Sequence, residues 1–144
     1  MYNPKKLIIY LFAYILATSC GSVEKSIKRG DAALALGEYA EAAGQYKKAY
    51  QRTPPKEKAL RGKIAFKMGD AYMRYGNAAR AAGAFRNAQR YHYTDSLTLL
   101  YLGNMLRLQG DYKEAAKAYT AFLDSVPDSE AVSYTHLRAH ETLS

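Results

Sequence analysis

The chain has few of the residues that build catalytic, metal and disulfide sites. Its 144 residues include one cysteine, three histidines, four prolines and no tryptophan. A lone cysteine excludes an internal disulfide, and no Ser/His/Asp or Cys/His constellation for nucleophilic catalysis is present. Six of the ten glycines belong to the repeat described below, and no phosphate-binding glycine loop is present. We therefore expect no enzyme activity, no cofactor and no metal.

Acidic residues are outnumbered, with 13 Asp and Glu against 21 Lys and Arg and a formal net charge of +8. The imbalance is concentrated between Lys47 and Arg90, where twelve basic residues face only Glu57 and Asp70. Such a basic stripe can bind nucleic acid, anionic lipid headgroups or an acidic partner, and it can equally be a solvated helix surface.

A long apolar run is also missing. The run from Leu7 to Ala17 follows Lys5 and Lys6 and is much shorter than the roughly 20 residues that span a bilayer. A short apolar run behind basic residues indicates an export signal.

What the sequence does contain is a repeat, with two glycines, a small residue and an aromatic residue at fixed spacing in each of three copies. The members are Gly30, Gly37, Ala42 and Tyr46, then Gly69, Gly76, Ala81 and Phe85, then Gly103, Gly110, Ala115 and Tyr119. The period is 34 residues from Gly69 to Gly103, and 39 from Gly30 to Gly69. This period predicts stacked helix pairs. The rival interpretation, a generic antiparallel bundle, does not require glycine and alanine at fixed offsets.

Within a copy, each position has an expected structural role. The first glycine and the alanine are small, so the two helices of a pair can cross closely there, with the aromatic residue filling the space between them. The second glycine predicts a left-handed helix stop, and the polar residue after it, Glu38, Asn77 or Asp111, can cap the next helix. Pro54 and Pro127 should end the second helix in two copies.

These residues resemble the tetratricopeptide repeat family, most closely in the third copy with Leu102-Gly103, Ala115, Tyr119 and Pro127. Two positions in this copy depart from the family pattern, since Leu99 replaces the usual tryptophan and Leu106 replaces the usual tyrosine. The resemblance implies an all-α, right-handed solenoid of three helix-turn-helix repeats (six helices) over residues 23–128, preceded by a signal-peptide helix. The repeats would cover about 23–56, 62–95 and 96–129.

The same resemblance implies a non-catalytic scaffold whose first helices line a concave peptide-binding groove. The candidate groove residues are Lys63, Phe66, Lys67, Asp70, Met73, Arg74, Leu100, Tyr101, Asn104 and Arg107. Phe66 and Met73 can equally be core residues. The partners implied are envelope proteins or peptides, with no nucleic acid and no small-molecule substrate.

The residues Ala17-Thr18-Ser19-Cys20-Gly21 resemble the lipobox of bacterial lipoproteins. This implies a signal peptide at 1–19, lipidation of Cys20, an anchor and short linker at 20–22, and an outer-membrane location facing the periplasm. The alternative is an ordinary signal-peptidase site and a soluble periplasmic peptide-binding product. The combination of an anchor and repeats resembles Bacteroidota-type envelope proteins that carry a C-terminal outer-membrane-protein-A-like domain. Such proteins belong to secretion and gliding complexes or to peptidoglycan-associated complexes. A barrel-assembly lipoprotein is the runner-up.

The end of the chain has a different character. Val132 to Thr142 resembles the translation of a sequencing adapter, so we interpret 132–144 as a non-native tail; the alternative is a natural polar tail. His136 and His140 lie in this segment, and their spacing of four is not taken as a metal site because no further ligand lies nearby. We expect the natural protein to continue beyond residue 131.

Overall fold

The computed structural model describes residues 21–93, 95 and 97–126, and these residues form six α-helices without a strand. The helices are α1 (21–35), α2 (Tyr39–Arg52), α3 (Lys58–Arg74), α4 (Ala78–Arg90), α5 (Leu97–Leu108) and α6 (Tyr112–Ser125). The all-α, six-helix prediction is confirmed. The predicted signal peptide, Cys20, Pro127 and the tail at 132–144 lie outside the described residues.

The helices form two layers. On one side, α1, α3 and α5 are joined by an ion pair between Lys67 and Asp31 and by stacking of Phe66 on Tyr101, with ring centroids 6.2 Å apart. On the other side, Arg86 of α4 and Glu114 of α6 line one cleft. We call α1, α3 and α5 the inner helices and α2, α4 and α6 the outer helices. Helix α1 already includes residues 21 and 22, where the sequence predicted a linker.

Each inner helix meets its outer partner through a glycine and an aromatic ring. A methyl group built on Gly30 would lie 2.6 Å from the ring of Tyr46. A methyl group built on Gly69 would lie equally close to the ring of Phe85, and one built on Gly103 equally close to the ring of Tyr119. Real side chains do not tolerate this distance, so only glycine admits the ring. The sequence predicted a close crossing of the helices at these glycines. In the structure, the group that packs against each glycine is the aromatic ring rather than the small alanine.

The turns within the repeats follow the glycine prediction. Gly37, Gly76 and Gly110 have φ of 76°, 81° and 80°, in the left-handed region that glycine adopts without a steric cost. The capping prediction holds only for Asn77, whose side chain accepts a hydrogen bond from the backbone N–H of Arg80 at 3.0 Å. Glu38 and Asp111 make no such bond.

A single arginine ties the ends of three helices together where the first two repeats meet. Helix α2 ends at Arg52, and Thr53 is extended ahead of Pro54, as a residue before proline prefers. Arg61 of α3 donates to the carbonyl of Thr53 at 2.6 Å and to the hydroxyl of Tyr91 at 3.0 Å. Its guanidinium group also lies 4.2 Å from the ring centroid of Tyr50. Hydrogen bonds and cation–π contact together fix the insert between the copies.

Replacing one of the ring-facing glycines should destabilise the fold. We expect Gly69→Ala to lower the free energy of unfolding by about 1–3 kcal/mol, because the added methyl group overlaps the fully buried ring of Phe85. Thermal unfolding followed by circular dichroism measures this loss.

Gly83 provides a matched control, because it is also helical and an added methyl group there meets nothing within 4 Å. Gly83→Ala should instead raise stability by about 0.5–1 kcal/mol through helix propensity. Equal shifts in the two variants would contradict the steric explanation.

Candidate protein-docking groove

The ten groove candidates share one property, which is that none is fully buried. Lys63, Arg74 and Arg107 are exposed, and the partly buried members are Phe66, Lys67, Asp70, Met73, Leu100, Tyr101 and Asn104. The repeat-defining residues differ. Apart from the exposed turn glycines, they are buried or, for Tyr119, partly buried, and Pro127 lies outside the described residues. The inner helices therefore present a partly exposed face above a buried seam.

Asp31 joins three helices at one end of this face. Its Oδ1 accepts hydrogen bonds from the Tyr46 hydroxyl at 2.7 Å and from the Lys67 ammonium at 2.6 Å. Burial favours the neutral carboxyl, but these bonds outweigh it and hold the pKa of Asp31 below its ordinary value. Burial and the bond to Asp31 also raise the pKa of the Tyr46 hydroxyl. The network links α1, α2 and α3.

Each inner-helix glycine is followed by a polar residue, and the hydrogen-bond partner of that residue is not of the same type in all three repeats. Asn104 accepts a hydrogen bond from the Tyr119 hydroxyl at 2.8 Å, repeating the arrangement of Asp31 and Tyr46. In the middle repeat Phe85 has no hydroxyl, and Asp70 instead accepts two bonds of 3.0 Å from Arg74 Nε. In the sequence, Asp31 and Asp70 each follow an inner-helix glycine, but their bonding partners cannot be identified from it.

The floor of the inner face is aromatic. The Phe66 ring lies 5.0 Å from that of Tyr93, 5.8 Å from Phe85 and 6.2 Å from Tyr101, in tilted, edge-on and stacked arrangements that aromatic pairs favour. Phe66 and Met73 both pack against the buried core while remaining partly exposed. Of the two interpretations left open by the sequence, core packing accounts for the contacts seen, and the exposed edges remain available to a ligand.

The charges of the inner face divide into paired and unpaired cations. Lys67 and Arg74 are held by Asp31 and Asp70. Lys63 and Arg107 are exposed, and within the described part of the chain neither forms a salt bridge, although Lys63 adds a small electrostatic contribution to that of Lys67 in lowering the pKa of Asp31. A partner in the groove would thus meet two unpaired cations at the rim of an aromatic floor.

A cleft of about 370 Å³ lies on the other side of the third repeat, between α4, α5 and α6. Leu99 and Leu106, the two departures noted in the sequence, both line it. In the second repeat the position of Leu106 is occupied by Tyr72, whose ring lies 5.7 Å beneath the Arg80 guanidinium. Leucine is smaller than tyrosine, so Leu106 fills less of the space between the helices than Tyr72 does. The two leucines are evident from the sequence, but the cleft could not be predicted from it.

Two further findings bear on the chemistry of the described residues. They contain no cluster of three or more His, Cys, Asp or Glu suited to a metal ion. None of their helices combines the length and apolar character needed to cross a membrane.

Asp31 should make stability depend on pH in acid. The pKa of Asp31 is lower in the folded state than in the unfolded state, where it is about 3.9. Its contribution to the free energy of unfolding is therefore present above the unfolded pKa and is lost as the pH falls through the folded pKa. We expect Asp31→Asn to lower the melting temperature at pH 7 and to differ less from the parent at pH 3.

Asp124→Asn is the matched control, because Asp124 is exposed and forms no salt bridge among the described residues. It should have little effect at either pH. A deficit for Asp31→Asn that is equally large at pH 3 and pH 7 would contradict the ion-pair network.

Comparisons with known proteins place this geometry in a family. The fold is similar to that of the TPR domain of Arabidopsis FLU, with a TM-score of 0.66 and 17% identity; the match covers 74% of this chain and 95% of that one. It is also similar to the Sgt2 TPR domain from Aspergillus fumigatus, with a TM-score of 0.61 and 23% identity; this match covers 83% of this chain and 80% of that one. No curated protein matches significantly. The sequence profile of the tetratricopeptide repeat matches residues 26–57 and 66–130. The chain therefore belongs to the tetratricopeptide repeat family.

Proposed function

We propose that this chain is a non-catalytic docking scaffold of the bacterial cell envelope, anchored by lipid at Cys20 and binding an envelope protein or peptide along its inner face. Membership of a repeat family of interaction modules supports the scaffold role. The secretion and gliding or peptidoglycan-associated setting rests on the resemblance described from the sequence.

One observation carries the docking proposal, namely the partly exposed inner face with its aromatic floor and its unpaired cations Lys63 and Arg107. Apolar surface supplies most of the free energy of peptide binding, while flanking charges give orientation and selectivity. A peptide with apolar side chains and an acidic residue at each end fits this surface. The paired cations Lys67 and Arg74 contribute less, because an acidic partner must compete with Asp31 and Asp70.

The anchoring proposal is supported by the order of features along the chain. A short apolar run, the lipobox-like residues and Cys20 come directly before α1, which is already helical at residue 21. An anchor at Cys20 would therefore hold the array close to the bilayer. Two or more acyl chains give stable attachment, whereas one chain gives only reversible binding.

Two other assignments keep the same repeats. A barrel-assembly-type outer-membrane lipoprotein shares the anchor and the docking role but differs in its partner. A soluble periplasmic peptide-binding protein shares the groove but lacks the acyl chains at Cys20.

Reversing the unpaired groove charges should weaken partner binding without breaking an internal ion pair. We expect Lys63→Glu/Arg107→Glu to lose partner proteins in a pull-down from envelope extracts, identified by mass spectrometry, because acidic groups of the partner would then be repelled. Lys67 and Arg74 are less suitable, since their substitution also breaks salt bridges within the fold.

The control is Lys47→Glu/Lys48→Glu on the outer helix α2, which makes the same change in net charge away from the groove. It should retain the partners. Identical partner lists for the parent and the groove variant would count against the inner face as the docking site.

The anchor is tested by Cys20→Ala. We expect this variant to move from the membrane fraction to the soluble fraction after detergent-free lysis, because no acyl chain can be attached to alanine. Metabolic labelling with a radioactive fatty acid should mark the parent chain alone. Retention of Cys20→Ala in the membrane fraction, with no label on the parent, would exclude the lipid anchor.

A further inference from the structure

The outer helices α2 and α4 have a strong excess of positive charge. Their six basic residues are Lys47, Lys48, Arg52, Arg80, Arg86 and Arg90, and their single acidic residue is Glu41. The third outer helix, α6, is balanced by comparison, with Lys113 and Lys117 against Glu114 and Asp124. Of the twelve basic residues in the stripe of the sequence, six lie on α2 and α4 and five on the inner helix α3. We call the surface formed by the six on the two outer helices the basic outer face.

This charge is available to a ligand. All six basic side chains are exposed, and within the described residues none forms a salt bridge. Some have weaker neighbours. Arg80 lies over the Tyr72 ring at 5.7 Å, and the pKa of Glu114 is lowered chiefly by its bond to Lys117, with a smaller contribution from Arg86. Arg90 lies close enough to the Tyr91 hydroxyl to interact with it electrostatically. Among the described residues, Lys47, Lys48 and Arg52 have neither an aromatic nor an acidic neighbour of this kind. Unpaired cations concentrated on one face attract a polyanionic surface.

The face has no apolar anchor, and this distinguishes among its candidate ligands. The exposed large apolar residues among those described are Leu36, Tyr75, Leu108, Tyr112 and Leu123, and none belongs to α2 or α4. Protein interfaces gain most of their affinity from buried aromatic or aliphatic anchors. Binding to anionic lipid headgroups needs only exposed basic side chains near the bilayer surface. The basic outer face therefore fits a lipid surface better than a protein partner.

We propose that the basic outer face lies against an anionic phospholipid bilayer and orients the array at the membrane. The choice of lipid over nucleic acid rests on the proposed envelope location. Residue 21 is already helical in α1, and packed helices lie about 8–10 Å apart, so an anchor at Cys20 holds α2 within reach of the same surface. Tethering raises the local concentration of the face at the bilayer, and the two contacts reinforce each other.

The test uses the full chain carrying Cys20→Ser in every variant, so that no acyl chain contributes and the result does not depend on the anchor. Cosedimentation is measured with neutral phosphatidylcholine vesicles and with vesicles that also contain phosphatidylglycerol. The apolar leader contributes equally to all variants. We expect Lys47→Glu/Lys48→Glu to reduce partitioning onto the anionic vesicles by at least about tenfold, and to leave partitioning onto neutral vesicles unchanged.

The groove variant Lys63→Glu/Arg107→Glu carries the same net charge and should bind anionic vesicles as the parent does. Salt at about 1 M should abolish the difference between the variants, because the Debye length falls to about 3 Å. Equal losses in both double variants would show a general charge effect and overturn the proposal. So would a parent chain that binds a DNA oligonucleotide more tightly than it binds anionic vesicles. Circular dichroism of each variant confirms that the helices are retained.

Discussion

The fold depends on a contact between a glycine and an aromatic ring that is repeated three times. In each repeat the ring of Tyr46, Phe85 or Tyr119 occupies the space that a side chain at the inner-helix glycine would need, at the same distance of 2.6 Å from the site of the missing methyl group. Because the contact fixes how closely each inner helix approaches its outer partner, it also fixes which residues remain exposed on either layer. The inner face and the basic outer face are both consequences of this spacing.

The two faces have different chemistry. Along the inner helices, aromatic rings form a floor, and Lys67 and Arg74 are held in salt bridges by Asp31 and Asp70. On α2 and α4, basic side chains are exposed without salt bridges, and no large apolar residue is exposed. An apolar, partly charged groove suits a peptide, while a face with a strong excess of cations suits a polyanionic surface. One scaffold can therefore bind a protein on one side and lie against a bilayer on the other.

The repeated part of the structure could be predicted from the sequence, because three copies agree in register. Gly37, Gly76 and Gly110 adopt the left-handed angles expected of a helix stop. Contacts between copies could not be predicted in this way. Lys67 reaches Asp31 across 36 residues, and Arg61 joins Thr53 and Tyr91 at a junction that occurs once. Capping was predicted only in part, since Asn77 alone forms the bond expected of Glu38 and Asp111 as well.

The most direct test of this account is a double-mutant cycle between Gly69 and Phe85, measured by equilibrium unfolding. The single substitutions are Gly69→Ala, which overfills the crossing, and Phe85→Leu, which leaves space there. If the ring occupies the glycine's missing side-chain volume, the smaller leucine relieves the clash. The double variant should then lose at least about 1 kcal/mol less free energy of unfolding than the two single variants lose in sum. Effects that add within about 0.5 kcal/mol, as for independent sites, would contradict the account.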